Sequence, residues 1–188
     1  VYNEVDWEAC GKAVQKLPLG KKRWLTKHTT GFCGVGRTLH KRDPEVSDAC
    51  PICQQPNETT THVITCPSPA AKQKWDLCIK AVKQWMQKAH TDPDLQAGIL
   101  HFLATGRRNP SLPYTREPWA PPFTDDLEIA FQQQTRIGWM NMLLGRTTPL
   151  FAEIQDAYYK SLERRNTGKR WLTLLIQKMW DISWDMWE

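Results

Sequence analysis

Four side chains able to hold a soft divalent cation fall between residues 50 and 66: Cys50, Cys53, His62 and Cys66, in the order C-x2-C-x8-H-x3-C. Three thiolates and an imidazole make the Cys3His set that closes a tetrahedral zinc site. Two residues between Cys50 and Cys53 let a tight turn aim both sulfurs at one point, and Pro51 stiffens that turn. His62 and Cys66 stand four apart, so one helical turn carries both on the same face. A zinc with four protein ligands keeps no open position for water, so the expected cofactor is one structural Zn2+ and not a hydrolytic ion.

The helix this requires, from Thr59 to Cys66, is a β-branched run of poor propensity that Pro67 would end. Metal binding would supply most of its stabilisation. Structural zinc sites release roughly 10–16 kcal/mol on binding, ample for so short a segment.

A second chemical feature lies just before the cluster. From Lys12 to Arg42 the chain carries nine basic residues and no acidic one, within a formal net charge of only +5. Such a block attracts phosphate, although charge alone equally describes a solvated helix face. The run GFCGVGR inside it reads as a turn. No Lys-Ser or Lys-Thr pair follows its glycines, so it does not have the form of a phosphate-cradling loop.

The elements that must position these groups read as helices. Asn3 and Asp6 open one carrying Val5, Ala9, Ala13 and Leu17, which Pro18 to Gly20 would end; another runs from Lys21 to Thr30 and Gly31. Ser68-Pro69 and Asp92-Pro93 are N-cap and first-turn pairs, and Gly106 closes the second helix. Thr124, Asp125 and Glu128 start a helix expected to continue through Leu144 to Gly145. Thr148-Pro149 and Thr167 start the last two. In the final one, Leu172, Leu175, Ile176 and Met179 share a stripe beside Trp180, Trp184 and Trp187, so most of its circumference must be buried, by this chain or by a partner.

No segment alternates apolar and polar residues long enough to demand a sheet. The expected fold is mainly α, a helical domain with an embedded zinc knuckle. It divides into a basic helical segment (1–47), the knuckle (48–69), a helical pair (70–105), a proline-rich linker or wrapping loop (106–123) and a C-terminal helical subdomain (124–188).

With 188 residues and no apolar run of membrane-spanning length, the chain has the composition expected of a soluble intracellular protein, nuclear or cytoplasmic. Its start at Val1 and its end inside an apolar pattern read as a piece of a longer polypeptide. Cys10, Cys33 and Cys78 read as buried thiols. Phe123 to Asp126 spell FTDD, which invites comparison with a polymerase carboxylate pair, but between a proline run and a helix start capping is the stronger reading. Pro93-Asp94 has no downstream acid followed two residues on by lysine. No catalytic activity is expected of this chain by itself.

The ordered set Thr30-Gly31, a glycine turn, LHKR at Leu39 to Arg42, CPIC, Glu58-Thr59, His62 and Cys66-Pro67 resembles the zinc-binding region downstream of the polymerase in non-LTR retrotransposon reverse transcriptases. The resemblance covers about Arg23 to Pro67, and WDISWDMWE is similar to the helical tail that follows this knuckle in some relatives. Gln54 stands where the family often has glycine. The resemblance implies an accessory region of a reverse transcriptase that engages template RNA or target DNA, attached to a polymerase region. On that reading Lys21, Lys22, Arg23, Lys27, Arg37, Lys41 and Arg42 would contact phosphates, with Trp24, Phe32 or His40 stacking on bases. Two other classes stay open: a zinc-folded protein-interaction module that docks or self-associates through its Trp-rich C-terminal helix, and a divergent nuclease using Asp125 and Asp126.

Overall fold

Side-chain caps set where several of these helices begin. In a computed structural model that describes residues 1–107 and 124–188, Asp6 accepts the Ala9 N–H at 2.8 Å and opens α1 (Trp7–Gln15). Ser68 accepts from Ala71 at the start of α5 (Pro69–Lys88), and Asp92 accepts from Asp94 and Leu95 at the start of α6 (Pro93–Gly106). Both have proline in the first turn, where its missing N–H leaves no bond unmade. Thr167 accepts from Arg170 at the start of α10 (Gly168–Trp187).

The remaining elements are α2 (Leu19–Thr29), α3 (Gly36–His40), α4 (Thr60–Thr65), α7 (Asp125–Ile137), α8 (Trp139–Met142) and α9 (Leu150–Ser161), with a 3-10 turn at Tyr2–Glu4. Among the described residues there is no strand, and the fold is mainly α. No helix among them is long and apolar enough to cross a membrane. From residue 108 onward the proline-rich stretch, with Arg108 and Phe123 of FTDD, lies outside the described residues.

Two expected boundaries move. The second helix starts at Leu19, directly behind Pro18, and not at Lys21. The helix expected to reach Leu144 stops at Ile137, because Gly138 takes φ +96 and breaks it. A side chain at Gly138 would be strained in that conformation. The break lets Trp139 stack on Phe102 at 4.5 Å and lie 5.9 Å from Phe131, contacts that a straight helix would forgo.

The core is organised around α10, which packs on α9, α1, α5 and α4. Leu172, Leu175, Ile176 and Met179 are fully buried and Trp171 and Trp180 nearly so, which answers what covers this apolar helix: the rest of its own chain. Trp184 and Trp187 are half-buried against Trp24 of α2, at 5.1 and 6.2 Å between ring centres. One continuous cluster of buried residues runs from Ala9 to Met186 and includes Cys50, Ile64 and Cys66 beside the candidate site.

Candidate metal centre and the basic segment beside it

The ligand atoms of Cys50, Cys53, His62 and Cys66 all lie within 4.8 Å of one another, close enough to bind one metal ion. Cys50 Sγ and Cys66 Sγ are 3.9 Å apart, and Cys53 Sγ is 3.2 Å from His62 Nε2. Two thiolates about 2.3 Å from a tetrahedral ion would stand about 3.8 Å apart, so the sulfur spacing fits such a centre.

Local backbone chemistry makes each half of the site. Cys50 and Gln55 close a turn in which Cys50 N donates to Gln55 O and Gln54 N donates to Cys50 O, each at 2.9 Å. Gln54 sits at φ +61 and Asn57 at φ +60, the left-handed region where Asn is tolerated and Gln is costly. In the second half, Thr59 caps α4 by accepting the His62 N–H at 3.0 Å. His62 projects from this helix and Cys66 is its C-cap, so one short helix delivers two ligands.

Burial pushes the Cys50 thiol up to about 11. At Cys66 burial acts in the same sense, but hydrogen bonds from the backbone and side chain of Ser68 and from Cys53 and Cys50 outweigh it and hold the thiol below its ordinary value. One thiol of the pair thus ionises more easily than the other. A bound cation favours both thiolates.

Arg107 closes the far end of the helix. Its guanidinium donates to Ile64 O at 2.8 Å and to Cys66 O, and lies 6.0 Å from the Trp75 ring centre. Helix C-termini leave their last carbonyls unpaired, and a cation there also complements the helix dipole. In sequence Arg107 reads as an ordinary loop residue; only the fold brings it to α4.

Glu58 joins the cluster to the basic segment. This buried carboxylate accepts the Gly36 N–H at 2.7 Å, while Arg37 N donates to Glu58 O at 3.1 Å and Glu58 N donates to Asp48 O at 2.8 Å. A Cβ on Gly36 would lie 2.4 Å from Asp48 O, so only glycine permits this approach. The start of α3 is thereby fastened to the loop that carries the candidate ligands, and α3 and the residue after it carry Arg37, His40 and Lys41.

The predicted nucleic-acid contacts divide. Arg23, Lys27, Arg37, His40, Lys41 and Arg42 are exposed and Lys22 is half-exposed, and none has a carboxylate partner among the described residues. His40 Nδ1 is 2.8 Å from Val46 O. Lys21 differs, since its ammonium pairs with Asp181 at 2.8 Å and sits 5.5 Å from the Trp184 ring centre. Trp24 is a correction: it is 6% exposed, stacked on His28 and packed edge-on against Trp184. Its face is occupied, so it has none to offer a base.

Asp125 and Asp126 fall in the first turn of α7, where acidic side chains complement the helix dipole; Thr124 precedes them without a side-chain cap bond. Cys33 and Cys78 are buried and Cys10 half-buried, all as free thiols. No protein-family model, curated protein or solved structure matches the chain.

Proposed function

We propose that the chain is a zinc-stabilised nucleic-acid-binding module, an accessory region of a reverse-transcriptase-like protein without catalytic activity of its own. The observation that carries the reading is the Glu58–Gly36 junction, which ties a Cys3His cluster to the exposed cations Arg37, Lys41 and Arg42, none of which has a carboxylate partner among the described residues. Zinc is the natural occupant of three thiolates and an imidazole at tetrahedral spacing, and with four protein ligands its work is to hold the fold. Arg23, Lys27, Arg37, Lys41 and Arg42, with Lys22, contact the phosphate backbone of RNA or DNA; these contacts give affinity without sequence choice.

The protein-interaction reading is weaker, because the tryptophans it needs pack within the chain: Trp180 is buried and Trp184 and Trp187 lie on Trp24.

The test combines metal analysis with binding titrations. The purified chain should carry one zinc, lose it together with its fold in Cys53→Ser, and bind RNA or DNA with an affinity that falls steeply with salt. A folded chain that holds no metal, or binding indifferent to salt, would remove the reading.

A further inference from the structure

Between the loop after α2, helix α3 and the start of α4 there is an open cleft of about 510 Å³. Arg37, Lys41 and Arg42 line it with Phe32 and the threonines Thr59 to Thr61, and no carboxylate side chain is among the described residues that do so. Ligand sites of roughly 300–1,000 Å³ are ordinary, so the space suffices for a nucleotide unit. None of the three cations has an ion-pair partner among the described residues.

Phe32 stands out on this wall. It is 63% exposed, while Cys33 and Val35 beside it are 1% and 2% exposed. Its N–H donates to Lys27 O at 2.7 Å, and Gly31 before it turns the chain at φ +75. The ring is thus presented to solvent from an anchored backbone, which reduces the ordering a ligand would have to impose.

Cations along a groove with an exposed aromatic ring are how proteins hold single strands: the phosphates follow the charge and a base stacks on the ring. A duplex keeps its bases paired and stacked on one another, and has no free base face to offer. We infer that this cleft takes an unpaired nucleotide of a single-stranded RNA or DNA, with its base on Phe32 and its flanking phosphates on Arg37, Lys41 and Arg42. The inference rests on the nucleic-acid reading above and adds to it the strand form and the residue that reads it.

One sequence, prepared as single-stranded RNA, single-stranded DNA and DNA duplex, is titrated against the zinc-loaded chain. Phe32→Ala lowers affinity for the bound single strand by roughly tenfold, Phe32→Trp retains it, and duplex affinity does not change. The two single-stranded arms separate RNA from DNA. Arg42→Gln weakens every form that binds and makes the salt dependence shallower. Metal content and melting temperature, measured on the same samples, stay near the parent values because Phe32 is mostly exposed and lies outside the buried core. Unchanged single-strand affinity in Phe32→Ala, or an equal loss on the duplex, overturns the cleft and leaves the general reading standing. Failure of all three nucleic acids to bind overturns both.

Discussion

The carboxylate of Glu58 accepts the backbone N–H of Gly36 at 2.7 Å, and through that bond the loop between the metal ligands fixes the start of the helix that carries Arg37. A hydrogen bond from a buried amide to a charged acceptor is among the stronger ones a protein makes. It gives the Cys3His cluster a mechanical connection to the segment proposed to bind phosphate, which proximity in sequence alone would not supply.

Removing that acceptor leaves a buried N–H unpaired. Glu58→Ala should lower unfolding stability by about 1–3 kcal/mol, read from the denaturant midpoint, while Glu58→Gln, which keeps an acceptor, loses less. Gly36→Ala should match or exceed Glu58→Ala, since its Cβ would run into the Asp48 carbonyl. Parent-like midpoints in Glu58→Ala would show the junction to be idle.

Gln54 adopts a left-handed backbone that a residue with a Cβ takes at a cost of roughly 1–2 kcal/mol. Glycine there relieves the strain but gives the unfolded chain more freedom, which returns part of the gain. Gln54→Gly should therefore raise stability of the metal-loaded protein by about 0.5–1 kcal/mol. A lower melting temperature in the variant would contradict the assignment of strain to this turn.

His28 is buried against Trp24, and neither ring nitrogen has a hydrogen-bond partner among the described residues. Burial lowers its pKa from 6.5 to about 4. Between those values the unfolded chain binds a proton that the folded one refuses, so stability is fully present above pH 6.5, falls as pH drops toward 4, and loses nothing more from this group below that. The loss is on the order of 3 kcal/mol. Because thiolate ligands also protonate in acid, the readout is the difference from His28→Phe, which keeps the stack and should show a flatter profile in this window. Parallel profiles would mean that His28 takes up its proton in the fold as it does in the unfolded chain, and would contradict the lowered pKa.

The Cys3His cluster was legible because its four side chains are close in sequence and its spacing follows from one turn and one helical turn. Asp6, Ser68, Asp92 and Thr167 were legible as caps for the same reason, each bonding within three residues of itself. What failed is long-range. Trp24 sits among lysines and an arginine, and nothing near it reveals that Trp184 and Trp187, far along the chain, cover its ring. Lys21 likewise finds Asp181 only through the fold. The Glu58–Gly36 bond had a faint local signal, a single carboxylate between ligands and a glycine at the end of a run that reads only as a turn, but spacing does not pair them. Gly138 interrupts a pattern that remains helical on both sides, so a broken helix and a continuous one read alike until Trp139 is seen on Phe102.

If the proposed function holds, a metal-organised loop keeps the basic segment in its binding geometry. The most direct test of this is the affinity of one sample for labelled single-stranded RNA or DNA at fixed low salt, measured zinc-loaded, after chelation, and after zinc is returned. Affinity should fall at least about tenfold on chelation, as zinc-dependent structure is lost, and recover on reloading. Affinity that stays the same while the metal is demonstrably gone would contradict it.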